Sequence, residues 1–370
     1  MVTNTFLQLL QPSATSAPSS SDLDIVVLDG GLGTTLRDTF KRNCEGDLWS
    51  SRLLAEDPDV IKQAHLAFFE AGAEIVLTCT YQAFIGGFVH QKFTEEEARG
   101  YMNKAVDLAA EARDEYVNGD KYDKATSKKL AVGLSLGSYG AILCNGEEFT
   151  GAYPESEQSV AYLKEFHLDR LRVFLPSFPR IDFIAFETTP LANEVIAIRQ
   201  AMTELSSLSI SVAGGGDIPF WIGLTCPAGE WADKGGAKAA RESLWEGPGR
   251  LPDGVALNCT ETSVLASIIP HLAPSSSSES KPNKPTLILY PNYNTAYMNE
   301  TDNAASYWDT FDKGSKPARL TGPEWASQLI SIASEANSSG SWASKIICGG
   351  CCGTQPDEIS ELRKLADGGR

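Results

Sequence analysis

Cys351 and Cys352 stand side by side in Cys348-Gly349-Gly350-Cys351-Cys352-Gly353-Thr354, directly after a short apolar run, and Cys259 closes a second such run in Ala256-Leu257-Asn258-Cys259-Thr260. Thiolates are good Zn²⁺ ligands. Three protein ligands with one coordination position open is the catalytic pattern, whereas a fourth protein ligand closes a structural site. The trio is therefore read as a zinc centre at which chemistry happens. A redox pair competes with this reading, since Cys348-Gly-Gly-Cys351 is formally a C-x-x-C, but that motif belongs at a helix start in a thioredoxin-like pattern. Cys348 instead sits inside the apolar run Lys345-Ile346-Ile347-Cys348 and reads as a small buried hydrophobe. A disulfide between neighbouring cysteines needs a strained ring. Cys44, Cys79, Cys144 and Cys226 lack ligand spacing and are read as packing residues, and none of His65, His90, His167 and His271 falls in a metal-binding spacing.

Residues hundreds of positions apart form one site only if regular elements bring them together. Eight short β-rich runs recur along the chain: 25–29, 74–80, 130–136, 183–187, 220–226, 255–259, 286–290 and 345–348. They are apolar and nearly continuous, as parallel strands buried on both faces must be, with helical stretches in several of the gaps. Asp59–Ala71 has apolar residues at helical spacing and stops at Gly72, and Thr94-Glu95-Glu96-Glu97 opens a helix through Tyr116 with a capping box. Eight alternating units predict a single (β/α)₈ TIM barrel over residues 23–370, preceded by a flexible segment over 1–22. In such a barrel, polar residues at the C-terminal strand ends converge on one mouth, where active sites lie. Asp29-Gly30-Gly31, Thr78 to Gln82, Glu187 to Pro190, Asn258-Cys259 and Cys351-Cys352 all fall there. Apart from the strand at 220–226, Gly214–Leu251 and Pro274–Pro285 read as surface insertions.

With 31 Lys and Arg against 48 Asp and Glu, the net charge is −17 and no basic stripe exists, which excludes a nucleic-acid partner. No apolar run approaches membrane-spanning length. The segment 1–22 has no basic leader region, and Phe6 to Leu10 is too short for a signal core. Eight cysteines without a secretion signal point to a reducing, cytoplasmic setting in which thiolates stay available for metal. Gly31-Leu32-Gly33-Thr34 lacks the third glycine of a dinucleotide fingerprint and the Lys-Ser/Thr of a P-loop, so nucleotide binding is rejected.

In order along the chain stand Leu28-Asp29-Gly30-Gly31-Leu32-Gly33-Thr34, Leu48-Trp49-Ser50, Ala71-Gly72-Ala73-Glu74, Thr78-Cys79-Thr80-Tyr81-Gln82-Ala83, Gly137-Ser138-Tyr139-Gly140-Ala141, Phe186-Glu187-Thr188-Thr189-Pro190, Asn258-Cys259, Tyr290-Pro291-Asn292 and Gly349-Gly350-Cys351-Cys352-Gly353-Thr354. This ordered set, from about Asp24 to about Leu365, resembles the homocysteine S-methyltransferase family. The resemblance implies a (β/α)₈ barrel whose Zn²⁺ is held by Cys259, Cys351 and Cys352, and transfer of a methyl group from an onium donor to the sulfur of L-homocysteine, giving methionine. Methionine synthases join this module to folate and cobalamin domains, which a chain of this length is not expected to carry. The pieces around Trp49 and Tyr81 are closer to the branch that uses sulfonium donors, S-methylmethionine or S-adenosylmethionine, than to betaine users.

By the same resemblance, Asp29 and Glu187 receive the α-ammonium group of the substrate, and Thr78 lines the same pocket. Gly30-Gly31 is expected to let the backbone approach the ligand closely. Trp49, Tyr81 and Tyr139 are read as π-faces for the donor cation, against ordinary packing. Asn258 is expected to steady the zinc ligand by a hydrogen bond. Three thiolates around Zn²⁺ leave the centre at −1, an electron-rich set that keeps a bound sulfur nucleophilic and favours alkyl transfer over water activation. The chain departs from many relatives at Tyr293-Asn294-Thr295, where they have Ser-Gly-Glu. Alternatives are selenocysteine or another small thiol as acceptor, betaine as donor, and a non-catalytic zinc or amino-acid sensor. Oligomeric state is not legible.

Overall fold

The structure, a computed structural model, describes residues 4–11, 23–44, 46, 48–124, 128–207, 217–227, 229–274, 284–293 and 320–368. Eight strands form one all-parallel sheet: β1 (Asp24–Val27), β2 (Ile75–Leu77), β3 (Ala131–Gly137), β4 (Phe183–Thr189), β5 (Phe220–Leu224), β6 (Gly254–Glu261), β7 (Thr286–Asn292) and β8 (Lys345–Cys348). The order is β1-β8-β7-β6-β5-β4-β3-β2. The seam between β1 and β2 closes through a parallel bridge at Leu28 and Ile75 and the bond from Asp29 N–H to the Ile75 carbonyl, 2.9 Å. The expected barrel is therefore present, with each predicted run matched by a strand. Helices fill the crossovers, among them Pro58–Glu70 and Glu95–Asn118. The second carries the predicted capping box, with Thr94 Oγ1 accepting from Glu97 N–H and Glu97 accepting from Thr94 N–H.

Alternation along the strands sorts the core into two shells. Val26, Leu28, Ile75, Leu77, Phe183, Ala185, Trp221, Ala256, Ile288, Tyr290 and Ile347 fill the barrel interior. Ile25, Val27, Ile184, Phe186, Val255 and Leu257 face the helices. The interior stack runs from Phe183 to Trp221 with ring centroids 4.4 Å apart, and on to Tyr290 at 6.3 Å.

Two expectations are corrected. Within the segment 1–22, residues Thr5–Leu9 form a helix whose Phe6 and Leu9 are buried, with Phe6 4.3 Å from the Phe183 ring. Asn4 Nδ2 donates to the Asp182 carbonyl just before β4, so this helix closes the end of the barrel opposite the mouth. The remainder of that segment lies outside the described residues. Within 214–251, Gly236–Trp245 is the barrel helix that follows β5, with Ala240, Ser243, Leu244 and Trp245 buried. Its Ala-rich, charged composition hid a helical stripe that needs only a few large residues to pack. The stretch 275–283 inside the other expected insertion lies outside the described residues. No helix among the described residues is long and apolar enough to cross a membrane.

Candidate metal and substrate site

Cys259, Cys351 and Cys352 come together at the mouth, their sulfurs all within 4.8 Å of one another, and Cys259 Sγ is 2.7 Å from Cys351 Sγ. Two backbone devices produce this. Strict alternation after Ala256 would turn Cys259 outward toward the helices. Instead the register shifts between Asn258 and Glu261, and Cys259 adopts φ 48°, a left-handed conformation that costs a non-glycine residue about 1–3 kcal/mol and is kept where the surroundings enforce it. Neighbouring groups hold the distortion: Thr225 Oγ1 donates to the Cys259 carbonyl, and Cys226 N–H donates to Thr260 Oγ1. The loop after β8 is stitched between the ends of β1 and β7. Gly350 N–H donates to the Asp29 carbonyl, Cys351 N–H to the Pro291 carbonyl, and Tyr293 N–H to the Cys352 carbonyl. Gly31 serves this packing, because a Cβ there would lie 2.5 Å from the Cys351 carbonyl oxygen. The close approach expected of Gly30-Gly31 is thus to the cysteine loop.

The three sulfurs fit a metal. Four-coordinate Zn²⁺ with Zn–S near 2.3 Å spaces its sulfurs about 3.8 Å apart, a spacing within the reach of this cluster, and no fourth protein ligand joins the group among the described residues. Mutual hydrogen bonds with Cys351 and Cys352, then burial, push the Cys259 thiol well above its ordinary value. A divalent cation reverses that sign by stabilising the thiolates.

Beside the sulfurs lie two buried carboxylates. Asp29 Oδ2 accepts from Leu77 N–H at 2.8 Å and is 2% exposed. Burial raises its pKa well above the usual carboxylate range, the Leu77 bond opposes, and the charges of Glu187 and Cys351 add to the rise. Glu187 is 6% exposed and accepts from the Ser135 hydroxyl. Burial pushes it up to about 8, against the Ser135 bond, with the Cys351 charge adding and Tyr290 and Arg170 opposing. Two buried acids that resist ionisation, next to three thiols, form a pocket that a cationic group would stabilise.

The other expected residues divide. The Tyr81 hydroxyl hydrogen-bonds the Thr188 side chain and feels the charges of Glu148, Cys259 and Glu187, which places it at this pocket. Trp49, partly buried, lies against Gly33 in the helix that follows Asp29-Gly30-Gly31, where a Cβ on Gly33 would come 2.3 Å from its ring. Thr78 is committed to the scaffold: its Oγ1 is 2.6 Å from Thr80 Oγ1 and accepts from Ser135 N–H at 3.1 Å. Asn258 does not bond a thiol. Its Oδ1 accepts from Thr188 N–H at 3.0 Å and its Nδ2 donates to Thr188 Oγ1 at 2.7 Å, clamping a second residue with positive φ, 57°. Tyr139 is not presented to the sulfurs; it packs with Tyr153, Leu163 and Ala197, and its hydroxyl donates to Glu157 at 2.6 Å. Cys348 is fully buried as expected. Cys44, Cys79 and Cys226 are buried, whereas Cys144 is exposed in a left-handed turn after the Tyr139–Leu143 helix and is not a packing residue.

Ser135 was not singled out from the sequence, and Tyr290 was quoted there only within a motif and given no role, although both face Glu187. Alternation was the available signal: residues 131, 133, 135 and 137 share one face of β3, and 288 and 290 one face of β7.

A parallel (β/α)₈ barrel with three convergent thiols and two buried acids at its mouth is a thiol-centred, metal-capable enzyme architecture. The sequence model of the homocysteine S-methyltransferase family matches residues 26–366. Homocysteine S-methyltransferase 1 of Arabidopsis thaliana is 32% identical over 346 residues, covering 91% of this chain and 92% of its own. Homocysteine S-methyltransferase YbgG of Bacillus subtilis (strain 168) is 30% identical, covering 92% of this chain and 94% of its own. In fold, the metallated homocysteine methyltransferase MmuM of Escherichia coli superposes with a TM-score of 0.64 at 24% identity, covering 92% of this chain and 96% of that one. The chain belongs to the homocysteine S-methyltransferase family and is a methyltransferase.

Proposed function

We propose that this enzyme transfers a methyl group from a sulfonium donor, S-methylmethionine or S-adenosylmethionine, to the thiol of L-homocysteine, forming methionine with Zn²⁺ as cofactor. The carrying observation is the convergence of Cys259, Cys351 and Cys352 beside the buried pair Asp29 and Glu187. Zn²⁺ held by the three cysteines would lower the pKa of a substrate thiol from about 8.5, so that the nucleophile is a thiolate at neutral pH. Asp29 and Glu187 bind the α-ammonium of homocysteine, whose single positive charge offsets part of the cost that burial places on the two acids as anions. The Ser135 hydroxyl fixes the Glu187 carboxylate, and Leu77 N–H fixes Asp29. Tyr81 and Trp49 offer π-faces to the donor cation, worth about 0.5–2 kcal/mol.

In the transfer, the substrate sulfur pair forms the new S–CH₃ bond while the donor C–S bond breaks and its electrons stay on the departing sulfur, which becomes a neutral thioether. No protein acid or base is required. Alignment of the two sulfurs about the methyl carbon is the protein's main contribution, and such positioning supplies about 7–11 kcal/mol in favourable intramolecular cases. The acidic groups around Tyr81, among them Glu148 and Glu187, are held up by burial, and a donor that arrives positively charged would favour their ionised forms.

One specific likeness favours a second acceptor. The selenocysteine methyltransferase of Astragalus bisulcatus is 28% identical over 353 residues, covering 93% of this chain. The test is methionine formation by zinc-replete protein with homocysteine and S-methylmethionine, S-adenosylmethionine or betaine in parallel, with selenocysteine as the competing acceptor. Turnover with a sulfonium and its loss in Cys352→Ala supports the proposal. Turnover with betaine alone, or only with selenocysteine, sinks the donor or the acceptor assignment respectively.

A further inference from the structure

Arg170 stands on the helix Val160–Phe174, outside the barrel wall, yet it is 3% exposed and makes no ion pair among the described residues. Its donors go to main-chain carbonyls at two adjacent strand ends. Nη1 donates to Gly137 at 2.7 Å, at the end of β3, and Nη2 to Thr80 at 3.0 Å and Tyr81 at 2.9 Å, just beyond β2. The Tyr81 carbonyl also accepts from Gly137 N–H at 3.0 Å, so residues 81, 137 and 170 form a closed ring of hydrogen bonds. Gly137 completes the arrangement from below. A Cβ there would lie 2.8 Å from the Tyr81 carbonyl oxygen and 2.9 Å from its ring carbon Cε2.

Burying a guanidinium with no carboxylate in direct contact is costly, and here burial lowers its pKa to about 10, with the charges of Tyr81, Glu194 and Glu187 opposing. Such a group persists where its planar fork does what a single-point cation cannot, here spanning three carbonyls on two strand ends in a fixed plane. What the fork holds is the backbone that carries the Tyr81 ring at the pocket.

We infer that Arg170 is a positioning residue for the methyl donor, acting through Tyr81. The inference rests on the proposed sulfonium-dependent reaction. Homocysteine is assigned to Asp29, Glu187 and the thiols; Arg170 hydrogen-bonds none of these and meets Glu187 only through its charge, which a lysine keeps, so loss of the fork alone separates the two substrates kinetically. A merely structural arginine would not do so.

The experiment compares Arg170→Lys with Arg199→Lys in the full-length, zinc-loaded protein. Arg199 is a matched control: it is also buried and also donates to main-chain carbonyls, those of Ser243, Glu246, Gly247 and Gly249, but these lie on the approach to β6, away from the mouth. Arg170→Lys is expected to raise the KM for S-methylmethionine about tenfold, a loss in the range that small misplacements of a positioning contact produce. The homocysteine KM is expected to stay within about twofold, and Arg199→Lys should lower the melting temperature without separating the two KM values. In a Tyr81→Ala background, Arg170→Lys should have no further effect on the donor KM, because residues acting through one contact are not additive. Should Arg170→Lys not fold, Gly137→Ala displaces Tyr81 from the other side and must give the same split. Equal changes in both KM values, or full additivity with Tyr81→Ala, overturn the inference. A wild-type enzyme that turns over no sulfonium donor overturns the proposed function and the inference together.

Discussion

Replacing Glu187 with Gln separates binding from stability with opposite signs. The change is nearly isosteric, and the amide oxygen can still accept from the Ser135 hydroxyl. It removes one of the two negative charges assigned to the substrate ammonium. Breaking a buried charge pair by deleting one partner costs about 3–5 kcal/mol. Asp29 remains to hold the ammonium, so the lower end of that range applies, which raises the homocysteine KM by about 100-fold. The ligand-free protein responds the other way. Glu187 titrates at about 8 in the folded chain, mainly because of burial, against an ordinary 4.5. The folded state therefore holds more protons than the unfolded one between these values, and stability falls as pH rises from about 4.5 to about 8. Read at pH 7, that interval amounts to about 3 kcal/mol of destabilisation, which Gln does not suffer. The expected variant binds homocysteine poorly and, as zinc-free protein without substrate, melts higher than wild type at pH 7, with little difference at pH 4.5. Steady-state kinetics with homocysteine varied, paired with thermal melts at both pH values, measure this. A homocysteine KM within about threefold of wild type would remove Glu187 from the ammonium site, and a lowered melting point would refute the burial argument.

Three further outcomes follow from the same geometry. Dialysis against a chelator should abolish turnover, and readdition of Zn²⁺ should restore it to wild type but not to Cys352→Ala, with bound metal quantified by atomic absorption; full activity in metal-free protein would contradict the thiol site. His65 is fully buried with neither ring nitrogen hydrogen-bonded among the described residues, and burial lowers its pKa from 6.5 to about 4. Its folded value lies below the unfolded one, so stability is lost as pH falls from about 6.5 toward 4, by about 2 kcal/mol at pH 5, and His65→Leu should flatten that part of the denaturation profile. Deleting residues 1–11 removes Phe6 and Leu9 from beneath the barrel and should cost about 3–5 kcal/mol in denaturant melts, while leaving the KM for each substrate unchanged; an unchanged melt would mean the helix contributes nothing to the closed end.

The strands were legible because parallel strands covered by helices are apolar on both faces, so their runs stand out without alternation. The helix starting at Thr94 was legible because a capping box is written in four consecutive residues. The cysteine trio and the two acids were legible as an ordered set of strand-end motifs, since barrel topology converts chain order into proximity at one mouth. Side-chain direction at the strand ends was decided only by the tertiary structure. Cys259 faces its partners because a register shift and a positive φ turn it there, and Asn258 bonds Thr188 because that residue carries the matching distortion on β4. Tyr139 lies one residue beyond Ser138 in a motif that suggested a site, but the helix Val160–Phe174 supplies an aromatic cluster that claims its ring. The same helix brings Arg170 to carbonyls 33, 89 and 90 positions away. Local sequence specifies φ/ψ preference and burial along one element, whereas partners contributed by another element, and the backbone strain those partners hold in place, exist only once the barrel closes.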